Sequence, residues 1–155
     1  MQLTKNFSLA ELIRSDTAIR LGHSEQFKPS EEIISNLKAL AVNILQPLRD
    51  ALGVPLRVTC GYRCPRTNKA VGGSATSEHM QGMAADIELW VDGKEYNQKL
   101  FDTVLRLNLP FTQMIDEFGT PDAPAWIHIS YNPAKLKRQK LRADKIKGKT
   151  VYTII

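Results

Sequence analysis

The apolar residues of this chain change their period partway along it, and that change restricts the fold more than any other feature. Between residues 30 and 52 they recur at helical spacing, through Ile33, Ile34, Leu37, Leu40, Ala41, Ile44, Leu45 and Leu48, which predicts one long helix. Ser30 starts it with Glu31 and Glu32 in the first turn, Pro47 kinks or ends it, and Leu52-Gly53-Val54-Pro55 stops it. A shorter helix begins at Ser8, where Glu11 completes a capping box and Phe7 is placed to staple onto Leu12. From residue 56 onward the period is two. Leu56 to Cys60, Ala84 to Leu89, Gln113 to Phe118 and Ala125 to Ser130 read as strands. The last two are joined by a turn containing Gly119, Pro121 and Pro124, which predicts antiparallel neighbours. One helix interrupts the strands, Asn97 to Leu107, with Leu100, Phe101, Val104 and Leu105 inward. Tyr62 to Ser77, rich in Gly, Pro, Asn and Ser, reads as a long loop suited to a functional site. Helices first and strands later predict an α+β fold, N-terminal helices packed on one face of a small, mostly antiparallel sheet.

With 155 residues, 43% hydrophobic and 24% charged, the chain suits a single globular domain over 1–155 that buries a core without a disulfide framework. Its apolar runs stop well short of the ~20 residues a bilayer requires, so no transmembrane segment is expected. Met1 to Asn6 opens no signal-peptide pattern. A monomer made in the cytoplasm without export is the expectation. The net charge is +5, yet residues 132–149 alone carry +7, with Lys135, Lys137, Arg138, Lys140, Arg142, Lys145, Lys147 and Lys149 against Asp144, which leaves residues 1–131 at −2. A basic C-terminal segment suits an anionic polymer: nucleic acid, a membrane surface or a bacterial wall polymer. Nucleic acid is the weaker choice, because the body is slightly acidic and no recognised module or aromatic stripe accompanies the charges. Cys60 and Cys64 are too few for a secreted disulfide scaffold; they can pair, ligate a metal or simply be buried, and burial is preferred.

Chemistry concentrates in two short blocks. The first is Ser77-Glu78-His79-Met80-Gln81-Gly82-Met83-Ala84-Ala85-Asp86 and the second Trp126-Ile127-His128-Ile129-Ser130. Asp86 falls inside an apolar strand, where an unpaired carboxylate is costly, so it needs donors or a cation. With His79 and His128 it makes a set of three protein ligands, the number a catalytic zinc site uses while keeping one position open. The residues alone leave other assignments open. His128 can be a hydrogen-bonded core histidine, Asp86 can bond Arg63, Ser77 or backbone amides, and Gly72, Gly73 and Gly82 can be turn glycines.

An ordered series narrows the choice: Val58-Thr59-Cys60-Gly61-Tyr62-Arg63, Asn68, Val71-Gly72-Gly73, the block from Ser77 to Ile87, and Trp126-Ile127-His128. The series resembles the zinc D-Ala-D-Ala carboxypeptidase and endopeptidase family, in its small single-domain bacterial and phage branch. That branch carries an S-G-Y-R strand end, an S-x-H-x-x-G-x-A-x-D block and a W-x-H strand. Phe7 to Leu12 and Leu45-Gln46-Pro47-Leu48-Arg49 resemble it too, so the likeness spans about 5–131. The resemblance implies a hedgehog/DD-peptidase-like fold, Zn2+ held by His79, Asp86 and His128, and hydrolysis of amide bonds in peptidoglycan stem peptides. It implies Arg63 for the substrate carboxylate or the oxyanion, and Ser77 as a substrate-binding group or a support for His79. The family's general base is a carboxylate, which Glu117 matches on the strand before W-x-H. Other members carry it three residues before the last ligand, where this chain has Ala125, so Asp116 and Asp122 remain rivals. Strand alternation puts Asp116 and Glu117 on opposite faces, so only one of those two points at the metal. Family members usually have Ser where Cys60 stands.

Two roles follow from the resemblance. One is a phage or prophage lysis enzyme, released to the wall by a holin and held there through residues 132–149. The other, suggested by Ala125, is a catalytically inactive zinc-containing module that binds the cell wall.

Overall fold

A computed structural model describes residues 1–155. The N-terminal third is helical: α1 (Leu9–Ile13), α2 (Asp16–Leu21) and α3 (Glu31–Leu40), which runs through a π turn (Ala41–Leu45) into α4 (Gln46–Leu52). Each of the first three helices starts at a serine whose hydroxyl accepts a backbone N–H: Ser8 from Glu11, Ser15 from Ala18 and Ser30 from Ile33. Pro47 does not end the helical run. It stands in the first turn of α4, after the π turn in which the Gln46 N–H donates to the Ala41 carbonyl, so the widened turn absorbs the misfit of a ring with no N–H.

The remaining elements are β1 (Arg57–Cys60), α5 (Pro65–Ala70), a 3₁₀ turn (Glu78–Gln81), β2 (Ala84–Glu88), β3 (Trp90–Val91), β4 (Lys94–Glu95), α6 (Asn97–Arg106), β5 (Gln113–Glu117), β6 (Trp126–Ser130), β7 (Gln139–Ile146) and β8 (Lys149–Ile154). Six strands form one sheet in the order β1-β2-β6-β5-β7-β8, antiparallel throughout except between β5 and β7. β3 and β4 form a separate small hairpin. The fold is α+β, with a mostly antiparallel sheet. No helix is long and apolar enough to cross a membrane.

Two expectations need correction. The segment from Tyr62 to Ser77 is not all loop: Cys64 caps α5 and Pro65 opens it, a place where a missing N–H costs nothing. In α6, Leu100, Phe101 and Val104 are buried, but Leu105 turns outward. Half of the basic segment 132–149 is built into β7 and the start of β8.

Period-two alternation divides the sheet into a core face and an open face. Ala85 and Ile87 of β2, Ile127 and Ile129 of β6, and Met114 of β5 are fully buried and face Leu37, Leu40, Ile44, Leu48, Leu100 and Val104 of the helices in one cluster. Each such aliphatic side chain contributes about 1.5–3 kcal/mol on burial. The alternate residues of the same strands, Asp86, His128, Ile115 and Glu117, therefore share the other face. The sheet is anchored to the first helix at Gly61, next to β1. The Tyr62 N–H donates to the Leu12 carbonyl at 2.8 Å. A Cβ on Gly61 would run into that same carbonyl, so only glycine lets the two backbones come this close.

Candidate metal centre

Strand register supplies two of the three expected ligands and a capped turn supplies the third. Asp86 and His128 are direct cross-strand partners on β2 and β6, so their side chains rise side by side on the open face. His79 sits on the 3₁₀ turn, where the Ser77 hydroxyl accepts the His79 backbone N–H at 3.3 Å and Gly82, at a φ of 69°, ends the turn. His79 is only 3% exposed. Its Nδ1 donates to the Gly61 carbonyl at 2.7 Å, which commits the proton of the neutral ring to that nitrogen and leaves Nε2 as its free donor atom. That Nε2 lies 3.3 Å from Asp86 Oδ1, and His128 Nδ1 lies 3.2 Å from the same oxygen. The two rings meet edge to face with centroids 5.0 Å apart.

One carboxylate oxygen thus faces two imidazole nitrogens in a buried place, an arrangement that calls for a proton or a cation between them. Burial by itself would depress the His79 pKa, but the charge and hydrogen bond of Asp86, with a smaller contribution from Cys60, outweigh it and raise the pKa to about 10. Burial likewise works against the Asp86 carboxylate. The two imidazoles overcome that and hold it well below the usual carboxylate range. Two imidazoles, a carboxylate and an outer hydrogen bond from His79 to a backbone carbonyl fit zinc in donor type and number.

A second donor combination overlaps this one. Ligand atoms of Cys60, His79 and Asp86 lie within 4.8 Å of one another, with Cys60 Sγ 3.8 Å from His79 Nδ1. Cys60 is cross-strand partner of Asp86 where β1 shifts register. The two cysteines do not pair: Cys60 stands beside His79, while Cys64 is buried and donates to the Thr67 hydroxyl at 3.1 Å.

The three histidine and aspartate side chains lie in a cleft of about 550 Å³ on the open face. Of the three rival carboxylates, only Glu117 lines it. Asp116 points to the other face and accepts from Arg142 Nε and Nη2, both at 3.3 Å, and Asp122 stands exposed in the β5–β6 turn. Glu117 is 8% exposed. Burial first, then the negative charge of Asp86, raise its pKa to about 7. The adjoining Phe118 adopts a φ of 46° and its N–H donates to the Ala143 carbonyl at 2.9 Å, so the strand end beside Glu117 is held in a conformation a phenylalanine rarely takes.

Arg63 lines the same cleft from the loop between β1 and α5. Its Nη2 donates to the Ser77 hydroxyl at 3.4 Å, its buried Nε has no partner, and no carboxylate pairs with it. Asp86 is taken by the histidines and Glu88 by Arg57 at 3.8 Å. A Cβ at Gly73 would run into the Asn68 side chain and lie 3.1 Å from Arg63 Nη2, so glycine keeps room for both. Sequence patterns did not single out Ile115, Leu141 or Tyr152, yet all three line the cleft, as does Trp126 of the W-x-H strand. The available signal was alternation: Ile115 shares a strand face with Glu117, and Leu141 alternates with Lys140 and Arg142.

No curated protein matches the chain. The family described as peptidase M15 matches residues 5–130, a span that includes every residue of the histidine and aspartate cluster, Glu117 and Arg63. The match and the cluster agree in kind, for the family consists of zinc-dependent D-Ala-D-Ala carboxypeptidase-type enzymes. The chain belongs to the peptidase M15 family and is a metallopeptidase by that membership.

Proposed function

We propose that this protein hydrolyses an amide bond in peptidoglycan stem peptides, with His79, Asp86 and His128 as zinc ligands, Glu117 as general base and acid, and Arg63 as the anchor for the substrate's terminal carboxylate. The observation that carries it is one cleft holding the Asp86 oxygen between two imidazoles, a buried carboxyl with its pKa near 7 and an arginine with no carboxylate partner. Zinc, when bound, polarises the scissile carbonyl and acidifies a water. Glu117 accepts the water's proton as that oxygen attacks and returns it to the departing amine. Arg63 offers paired N–H donors to a carboxylate and sets the bond in place, with Ser77 steadying the guanidinium. Because Glu117 stands in the cleft, the lack of a carboxylate at Ala125 gives little support to an inactive binding module. The proposal extends to a phage or prophage lysis enzyme that reaches the wall through a holin.

The test is incubation of the zinc-loaded protein with purified peptidoglycan and synthetic stem peptides. Released D-Ala or opened cross-links are expected; stoichiometric zinc with no cleavage of any wall peptide overturns the proposal. Arg63→Ala should raise KM about 10–100-fold for peptides with a free terminal carboxylate, the loss expected for charge-assisted hydrogen bonds. An amide at that terminus should remove most of the difference. Equal losses on both peptides would assign Arg63 to the oxyanion instead.

The basic segment is proposed to hold the enzyme on anionic wall polymer. Arg138 and Arg142 are engaged within the fold, the former donating to the Asn108 carbonyl at 2.8 Å and the latter to Asp116. Lys135, Lys137, Lys147 and Lys149 are exposed. Replacing these four with Glu should weaken wall binding about tenfold or more at low salt, and less at high salt. Binding that is unchanged and insensitive to salt would refute this role.

A further inference from the structure

Residues 139–154 lie beyond the family match of 5–130, yet they build one wall of the cleft. β7 joins β5 with Ile115 opposite Leu141 and Glu117 opposite Ala143; β8 then joins β7 with Ala143 opposite Tyr152. Register partners rise on the same face. Trp126, Glu117, Ala143 and Tyr152 therefore form one row across four strands, and His128, Ile115 and Leu141 form the row beside it. Ala143 is the smallest side chain of its row and fully buried, so the Tyr152 ring stands next to Glu117 across a notch. Burial and the charge of Glu117 both raise the Tyr152 pKa, which agrees with that proximity. Tyr152 remains 56% exposed, a large ring with much of its surface in water at the edge of a cleft.

The cleft is therefore asymmetric. Arg63 and Ser77 stand at one end, Leu141 and Tyr152 at the other, and the histidine and aspartate cluster lies between them in the strand order. A peptide whose terminal carboxylate is held at Arg63 and whose scissile bond lies over the cluster must run its remaining residues across β5 toward the hairpin. From β6, which carries His128, to β8, which carries Tyr152, is three strand spacings, about 14 Å at ~4.8 Å each. An extended peptide covers that in roughly four residues at ~3.3 Å each.

We propose that the β7–β8 hairpin is the binding wall for the acyl side of the substrate, with Leu141 and Tyr152 as specificity-determining residues that select an extended peptide of three or more acyl-side residues over a dipeptide. This inference rests on the peptidase reading above. A tyrosine ring beside a buried leucine suits that role, since it offers an apolar face to alanine-sized side chains and a hydroxyl to peptide groups.

The experiment compares kcat/KM on synthetic peptides that share one scissile bond and a free terminal carboxylate but have one, two, three or four acyl-side residues. For the wild type, the ratio between four and two residues should be about tenfold or more. Tyr152→Ala should bring the ratio near one, and Tyr152→Phe should restore most of it. A wild-type ratio near one, or a ratio that Tyr152→Ala leaves unchanged, overturns the hairpin inference while the peptidase reading stands. If the zinc-loaded wild type cleaves none of the peptides, the peptidase reading fails, and the same ratio is taken from dissociation constants. A length preference in binding that Tyr152→Ala removes then upholds the hairpin as a peptide wall, and its absence overturns that too.

Discussion

Glu117→Gln is expected to lower peptide hydrolysis by about 10²–10⁴-fold, the usual contribution of a positioned general base, while the protein keeps its zinc. The same substitution should make the metal-free protein more stable at neutral pH. Both effects have one origin, a carboxyl at the end of β5 that the fold buries beside the Asp86 charge, which pushes its pKa up from 4.5 to about 7. A raised carboxyl pKa means the folded state holds the proton more tightly than the unfolded chain does. Stability is therefore lost as pH rises from about 4.5 to about 7 and stays lower above that. Glutamine fills the same space without a charge, so the gain should be near zero at pH 4 and full above pH 7. A shift of this size is worth at most about 3 kcal/mol, or about 5–10 °C in Tm for a chain of this length. In the loaded enzyme a nearby divalent cation favours the carboxylate, so the acid limb of the kcat/KM profile should fall below pH 7. Asp116→Asn should leave hydrolysis near wild type, because Asp116 faces away from the cleft toward Arg142. Full activity in Glu117→Gln would remove Glu117 from the mechanism. Activity lost in Asp116→Asn but not in Glu117→Gln would move the role to Asp116.

The division of the sheet into two faces was legible before any coordinates, because alternation is a local property. Ala85, Ile87, Ile127 and Ile129 flank Asp86 and His128 in sequence, and that spacing alone sends the carboxylate and the imidazole to the face opposite the core. The same logic separates Asp116 from Glu117. The β7–β8 hairpin was not legible, although its signals are present. Leu141 and Ala143 alternate with Lys140, Arg142 and Asp144, and Lys147-Gly148, both at positive φ, form the tight turn between the strands. Eight cations in eighteen residues concealed the alternation, because dense charge also describes a solvated tail. Nothing local states that β7 pairs with β5, in parallel and after a connection through β6 and the loop beyond it. That choice depends on which sheet edge stands open once β6 has paired, and so Tyr152 reached the cleft without any sign in its own neighbours. α5 was hidden for a different reason. Its proline sits in the first turn, where it favours a helix, but in a stretch rich in Gly, Asn and Ser it reads as a turn residue.

Zinc should be lost from His128→Ala and from Asp86→Ala but retained by Cys60→Ser, and this comparison decides between the two overlapping donor sets. His79 and Asp86 belong to both, so the discriminating variants are His128→Ala and Cys60→Ser, and the His79 tautomer favours His128. Nδ1 is spent on the Gly61 carbonyl at 2.7 Å, so only Nε2 has a lone pair to offer, and Nε2 points at the Asp86 oxygen that His128 Nδ1 also approaches. Cys60 Sγ lies by the Nδ1 side of the ring, 3.8 Å from that nitrogen, away from the atom left for a metal. Removing an outer partner of a metal ligand typically costs 10–100-fold in affinity; removing one of three ligands should cost more, enough to leave His128→Ala empty after dialysis. Metal that binds only the folded state at about 1,000 times its dissociation constant adds about 4 kcal/mol. A chelator should then lower the Tm of the wild type and of Cys60→Ser by about 10 °C, with little change in His128→Ala. With the His79 pKa at about 10 in the metal-free site, zinc binding at pH 7.5 must also displace its proton. Calorimetry in buffers of different ionisation enthalpy should therefore count about one proton or more released per zinc bound. Zinc lost from Cys60→Ser and kept by His128→Ala would reverse the assignment and make the register shift of β1, which brings Cys60 to Asp86, the source of the third ligand.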